Sequence, residues 1–242
     1  MTKLAAPATV LICAALPQAD RGGAFAGSLA AGHAASGTPT PAVTWIAGVE
    51  AVVRGGFAPD RSDIAVELQP EWFASRRTLR TAIARARGAV PGIESAVLRG
   101  APLEHRELLA ESGIRVVMVD AFADAERGSR RPAPQGWPCR NVAWGLWEVE
   151  SARRRPTGLR AWLPSFTSLP TPRPGGLYVL LDRTLERSAV SGGRAAASPR
   201  VERWIAWARS REDVQTATLA DLPSLVARRH CRPFAGSVLR AA

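Results

Sequence analysis

The chain has 242 residues, 46% of them hydrophobic, enough for one large core and usual for an α/β domain. No apolar run reaches the roughly 18–20 residues that would cross a bilayer. The net charge is +11 and nearly all of the excess is arginine, because Lys3 is the only lysine.

Such a balance points either to an anionic partner (nucleic acid, membrane surface or acidic glycan) or to a GC-rich coding bias. The arginine runs at 76–77, 130–131, 153–155 and 228–229 fall in separate segments. None carries the interleaved aromatics of a single-strand binding platform, which favours coding bias and gives no clear sign of nucleic acid.

The N-terminal run "MTKLAAPATVLICAAL" has one positive charge and then apolar residues, as a signal peptide would. No A-x-A cleavage site follows cleanly, and Ile12 before Cys13 does not suit a lipoprotein site. The run also reads as a buried strand over 8–14, the reading favoured here, with a cytoplasmic location as the expectation.

Further strand-length apolar runs follow at 42–48, 63–68, 95–100, 115–120, 142–149, 176–182 and 214–219. Near-continuous apolar strands predict a parallel sheet covered on both faces. Helical patterns lie between them. Ser75 to Arg87 sets Leu79, Ile83 and Ala86 opposite arginines. Leu103 to Ser112 ends at Gly113, a suitable C-cap. Val201 to Arg209 places Trp204, Ile205 and Ala208 on one face, and Ala220 to Arg229 closes the series. Residues 121–141 and 151–175 are irregular excursions, and 191–198 reads as a flexible loop.

The polar residues are less decisive. Cys13, Cys139 and Cys231 have no short spacing, which argues against a disulfide framework or a CxxC zinc site. His33, His105 and His230 lack a second ligand at metal-binding spacing; His105 is the one placed near a strand end. Trp144 and Trp147 share a strand, so alternation sends them to opposite faces. Glu67 and Glu71 lie where the apolar strand "DIAVEL" runs into "QPEW", and Trp72 follows at once.

The succession of segments resembles the NodB-type polysaccharide deacetylases over residues 8–226. "TPAVTWIAG" is similar to the family's "pATWF" strand and "DIAVELQPEW" to its "hEIgLHxxxH" segment. "AVLRGAPLEHRELLAESGIRVV" resembles "fRxPxG…ll…GI", "GGLYVLLD" resembles "GsIvLlHD", and "DVQTATLADLPSLV" resembles the ending "yrfvTlseL". The resemblance implies one distorted (β/α)7 barrel over 1–242. In that family a first-strand Asp pair, two His four apart, an Arg and a late His build a metal site at the C-terminal rim, where the metal activates water against an N-acetyl group.

Carried over position by position, most of that chemistry is replaced. The first strand ends Cys13-Ala14-Ala15, and Asp20 is the nearest acid. The two His positions hold Glu67 and Glu71. Arg99 remains, while the late His position holds Leu181, followed by Asp182. The resemblance therefore implies a degenerate deacetylase-like protein that binds a glycan or acts as a non-catalytic partner, with no resident metal and no cofactor. Glu67, Glu71, Arg99 and Asp182 are then candidate catalytic-pocket residues, with Trp72 and His105 as candidate substrate contacts for a carbohydrate. Two alternatives stay open: a hydrolase remodelled around the carboxylates, and a basic protein binding nucleic acid or an anionic surface. The sequence leaves the oligomeric state undetermined.

Overall fold

The computed structural model describes residues 6–16, 42–54, 63–99, 104–120, 137, 139–143, 145–150, 169, 171–182 and 199–230. Asp20, His33, Trp144 and Cys231 lie outside them, as do the side chains of Arg99 and His230.

Strand β1 (Ala8–Ala15) is buried at every position. It hydrogen-bonds in parallel to three other strands. β8 (Leu177–Asp182) runs along one side of it through residues 9–14. On the other side β9 (Val214–Ala217) takes the first half of β1 and β2 (Thr44–Gly48) takes the second. From β2 the parallel sheet continues through β3 (Asp63–Leu68), β4 (Ser95–Arg99), β5 (Val116–Asp120) and β7 (Leu146–Glu150). β6 (Cys139–Ala143) is antiparallel to β7 and ends the path.

The strands expected from apolar runs are all present except that the run 142–149 is divided. Gly145, at φ +78°, reverses the chain there and turns one expected strand into the β6–β7 hairpin. Of the expected distorted (β/α)7 barrel, the described residues show the coarser part, an α/β architecture. They make a nine-stranded α/β sheet, curled like a half-barrel, whose path ends at β6 and β8. The two ends approach where Trp137 donates its Nε1–H to the Gly175 carbonyl at 2.8 Å.

Alternation divides the side chains between two faces. Leu11, Cys13, Ala15, Ile46, Ala65, Val97, Val116, Met118, Val149, Val179 and Leu181 share the concave core. Ile64, Val66, Leu68, Ala96, Leu98, Val117 and Val119 face outward and are covered by helices. These are α1 (Val49–Arg54), α2 (Arg76–Ala89) and α3 (Arg106–Glu111). α4 (Pro199–Arg209) covers Val10, Ile12 and Ala14 with Val201, Trp204 and Ile205. α5 (Leu222–His230) sends Leu222, Leu225 and Val226 into the concave core instead. α1 was not foreseen in the sequence.

The Ser75 hydroxyl oxygen accepts from the Thr78 amide at 3.4 Å, capping α2. Its exposed arginines meet acids one turn apart on α3: Arg76 pairs with Glu107 at 2.7 Å and Arg80 with Glu111 at 3.5 Å. Arg85 reaches Glu50 of α1 at 2.9 Å. Exposed pairs of this kind contribute about 0–1 kcal/mol each, so they set helix register more than stability. Gly113, at φ +80°, ends α3 as expected, and the Arg87 guanidinium donates across it to the Ser112 carbonyl.

One ion pair is of a different kind. Arg106 and Glu148 are both buried and in contact, joining the start of α3 to β7 beneath the helix layer. Removing one partner strands a charge in the core. Arg106→Met or Glu148→Met alone is expected to lower unfolding free energy in urea by about 3–5 kcal/mol, and the double substitution to recover most of that. Additive losses in the double variant would show that the two charges are not coupled.

Candidate functional site

Strand direction fixes which end of the sheet each connection leaves from. Segments 16–43, 121–138, 151–176 and 183–198 all begin at C-terminal strand ends. Helices α2, α3 and α4 return to the opposite end through the short segments 90–94, 112–115 and 210–213. In curled parallel sheets, long connections on the C-terminal side are where ligand sites are built.

Glu67 lies at that end. Its neighbours Val66 and Leu68 face outward, so Glu67 shares the concave face with Ala65 and is buried to 3% exposure. Arg99 ends β4, and its side chain lies outside the described residues. On the same face as Glu67, Ala15 of β1 is level through β2 with Ala65, two residues short of Glu67, and Cys13 is level with Asp63, four short of it, with Leu181 of β8 in register with Cys13.

The other candidates are dispersed. Pro70 starts a 3-10 helix (Pro70–Ala74) directly after β3, which breaks the strand alternation. Glu71 is exposed on that turn, and Trp72 packs half-buried against the outer core. The two glutamates therefore do not form a pair, and Trp72 is no platform on the concave face. Asp182 follows the inward Leu181 and so faces the convex side, where Arg200 of α4 stands 3.8 Å away. Asp182 belongs to helix packing rather than to a pocket shared with Glu67. His105 precedes α3 at φ 58°, half-buried, with Nδ1 3.7 Å from Glu107. That glutamate is already held by Arg76. Trp147 packs against the concave core as a structural residue.

Two polar centres were missed in the sequence. Arg106–Glu148 is one; its signal was a charge three residues before Leu109 on the buried helix stripe, and an acid between the apolar Trp147 and Val149. The other is Asp63, the first residue of β3 and on the same face as Glu67. Its Oδ2 accepts from the Thr44 hydroxyl at 2.9 Å, the Ala220 amide at 3.2 Å and the Ser95 hydroxyl at 3.5 Å. Thr44 Oγ1 in turn accepts from the Leu219 amide at 2.8 Å. This network sits at the N-terminal ends of β2, β3 and β4, level with Cys13 near the end of β1. Burial pushes the Asp63 carboxyl up, against the lowering effect of Thr44 and Ala220. Burial also pushes the Cys13 thiol up, with the negative Asp63 adding to it, and raises Cys139 to about 11. Among the described residues, no three His, Cys, Asp or Glu side chains gather as a metal would require.

No family model and no curated protein matches the chain. Among solved structures, the 4-α-glucanotransferase of Thermococcus litoralis is similar at a TM-score of 0.48 and 14% identity. The match covers 90% of this chain and 40% of that one.

The placements separate two acids that look alike in sequence. Glu71→Gln is expected to change stability by less than about 0.5 kcal/mol, as exposed positions do. Asp182→Ala is expected to cost about 1–3 kcal/mol by leaving Arg200 and the β8–α4 contact without the carboxylate. Thermal unfolding of both variants measures the contrast.

Proposed function

We propose that this protein is a divergent NodB-like barrel protein that binds a carbohydrate at the C-terminal ends of its strands and has lost metal-dependent deacetylation. One observation carries the reading. The positions where the resemblance expects metal-site chemistry hold residues that do not suit it. The end of β1, Cys13-Ala14-Ala15, stands where an Asp pair is expected, Glu67 where an imidazole is, and Leu181, in register with Cys13, where the late His is. The raised Cys13 thiol is a poor ligand, since metals bind the thiolate. Glu67 is a buried acid on the concave side at the end of β3, the end where this reading places the sugar.

A hydrolase rebuilt on paired carboxylates is less well supported, because Glu71 is exposed and Asp182 faces the other side of the sheet. A basic binding surface is also less well supported. Arg76, Arg80, Arg85, Arg106, Arg115, Arg200 and Arg211 each face an acid.

The test is calorimetric titration with chitooligosaccharides, with acetate release assayed in Zn²⁺ or Co²⁺. Binding is expected, weakened at least about tenfold in Glu67→Ala, which corresponds to about 1.4 kcal/mol. No acetate is expected. Metal-dependent acetate release overturns the loss of catalysis. Absence of any oligosaccharide binding, with salt-sensitive retention on heparin, overturns the carbohydrate reading in favour of an anionic partner.

A further inference from the structure

We infer that Asp63 is a proton-responsive latch that fastens the C-terminal helix α5 into the concave face, closing more tightly in mild acid. The inference is independent of the carbohydrate reading.

The geometry is that of a fastening point at the root of the helix. α5 places Leu222, Leu225 and Val226 in the concave core, yet its start is joined to the sheet through one short turn. That turn donates two backbone amides. The Leu219 amide goes to the Thr44 hydroxyl and the Ala220 amide to Asp63 Oδ2, and Thr44 itself donates to the same carboxylate oxygen. Ser95 reaches that oxygen from β4. One carboxylate thus collects β2, β4 and the root of α5.

The charges around it are of one sign. Asp221 lies in the same turn, where its Oδ2 accepts from the Thr218 amide and hydroxyl, each at 2.9 Å. Cys13 of β1 faces Asp63 as a neutral thiol. Glu94, next to Ser95, is engaged by Arg115 at 3.8 Å. No cation pairs with Asp63 among the described residues. An ionised Asp63 therefore suffers desolvation and the repulsion of Asp221 with only dipolar donors to offset them, and both raise its pKa. Undocking the turn admits water and relieves both.

The sign follows. A carboxyl raised in the docked state holds its proton more firmly there, so docking weakens as pH climbs from the ordinary carboxylate range through the raised value. Each unit of upward displacement corresponds to about a tenfold change in the docking equilibrium.

Hydrogen exchange of the amides in residues 222–230, corrected for intrinsic rates, provides the test. Several-fold greater protection at pH 5 than at pH 7.5 is expected, with the difference abolished in Asp63→Asn. Carbonyl-carbon NMR titration of Asp63 in the unaltered protein is the second readout, should the variant not fold. A raised titration midpoint supports the latch, and an ordinary or lowered one overturns it. Equal protection at both pH values, or the same pH dependence in Asp63→Asn, also overturns it.

Discussion

Burial of the central parallel strands on both faces is the constraint on which the rest of this structure depends. β1 has no exposed residue, and strands lie against both of its edges. A strand in that position cannot slip by one residue without exchanging the side chains of two cores. Its parity therefore fixes the parity of β2 and β8 through direct pairing, and of β3, β4, β5 and β7 through the ladder. Cys13, Ala65, Val97, Met118 and Val149 are concave for the same reason that Ile12, Val66, Leu98 and Val119 are not.

That parity also decides the fate of each buried charge. Asp63 and Glu67 fall on the concave side of β3, whereas Glu148 and Asp182 fall on the convex side of their strands. The convex acids meet arginines because the helix layer is rich in them: Arg106 arrives from α3 and Arg200 from α4. On the concave side Asp63 is held by hydroxyls and amides instead. On the outer helices, arginine pairs such as Arg76–Glu107 align α2 with α3.

The two ends of the sheet have different duties. At the N-terminal ends, short returns and the Thr44–Asp63–Ser95 network bind the sheet to α5. At the C-terminal ends, long connections leave from β1, β5, β7 and β8, and Glu67 is a buried acid on the concave side of β3.

The sequence alone located most of the strands, because those are near-continuous apolar runs and only two-faced burial makes such runs favourable, but it joined part of β6 and β7 into one. The helix α2 and the stop at Gly113 were equally legible, since periodicity and a glycine at the helix end are local properties. What one dimension could not carry was convergence. Glu67 and Glu71 look like a pair in the chain, yet the turn at Pro70 sends one into the sheet and the other to solvent. Asp182 looks like a rim acid until the inward Leu181 before it commits it to the opposite face. Arg106–Glu148 and Asp63–Ala220 join residues far apart in sequence, so no local pattern announces them. Spacing is read along the chain, but which side chains meet is set by strand order and register, and those exist only once the sheet has formed.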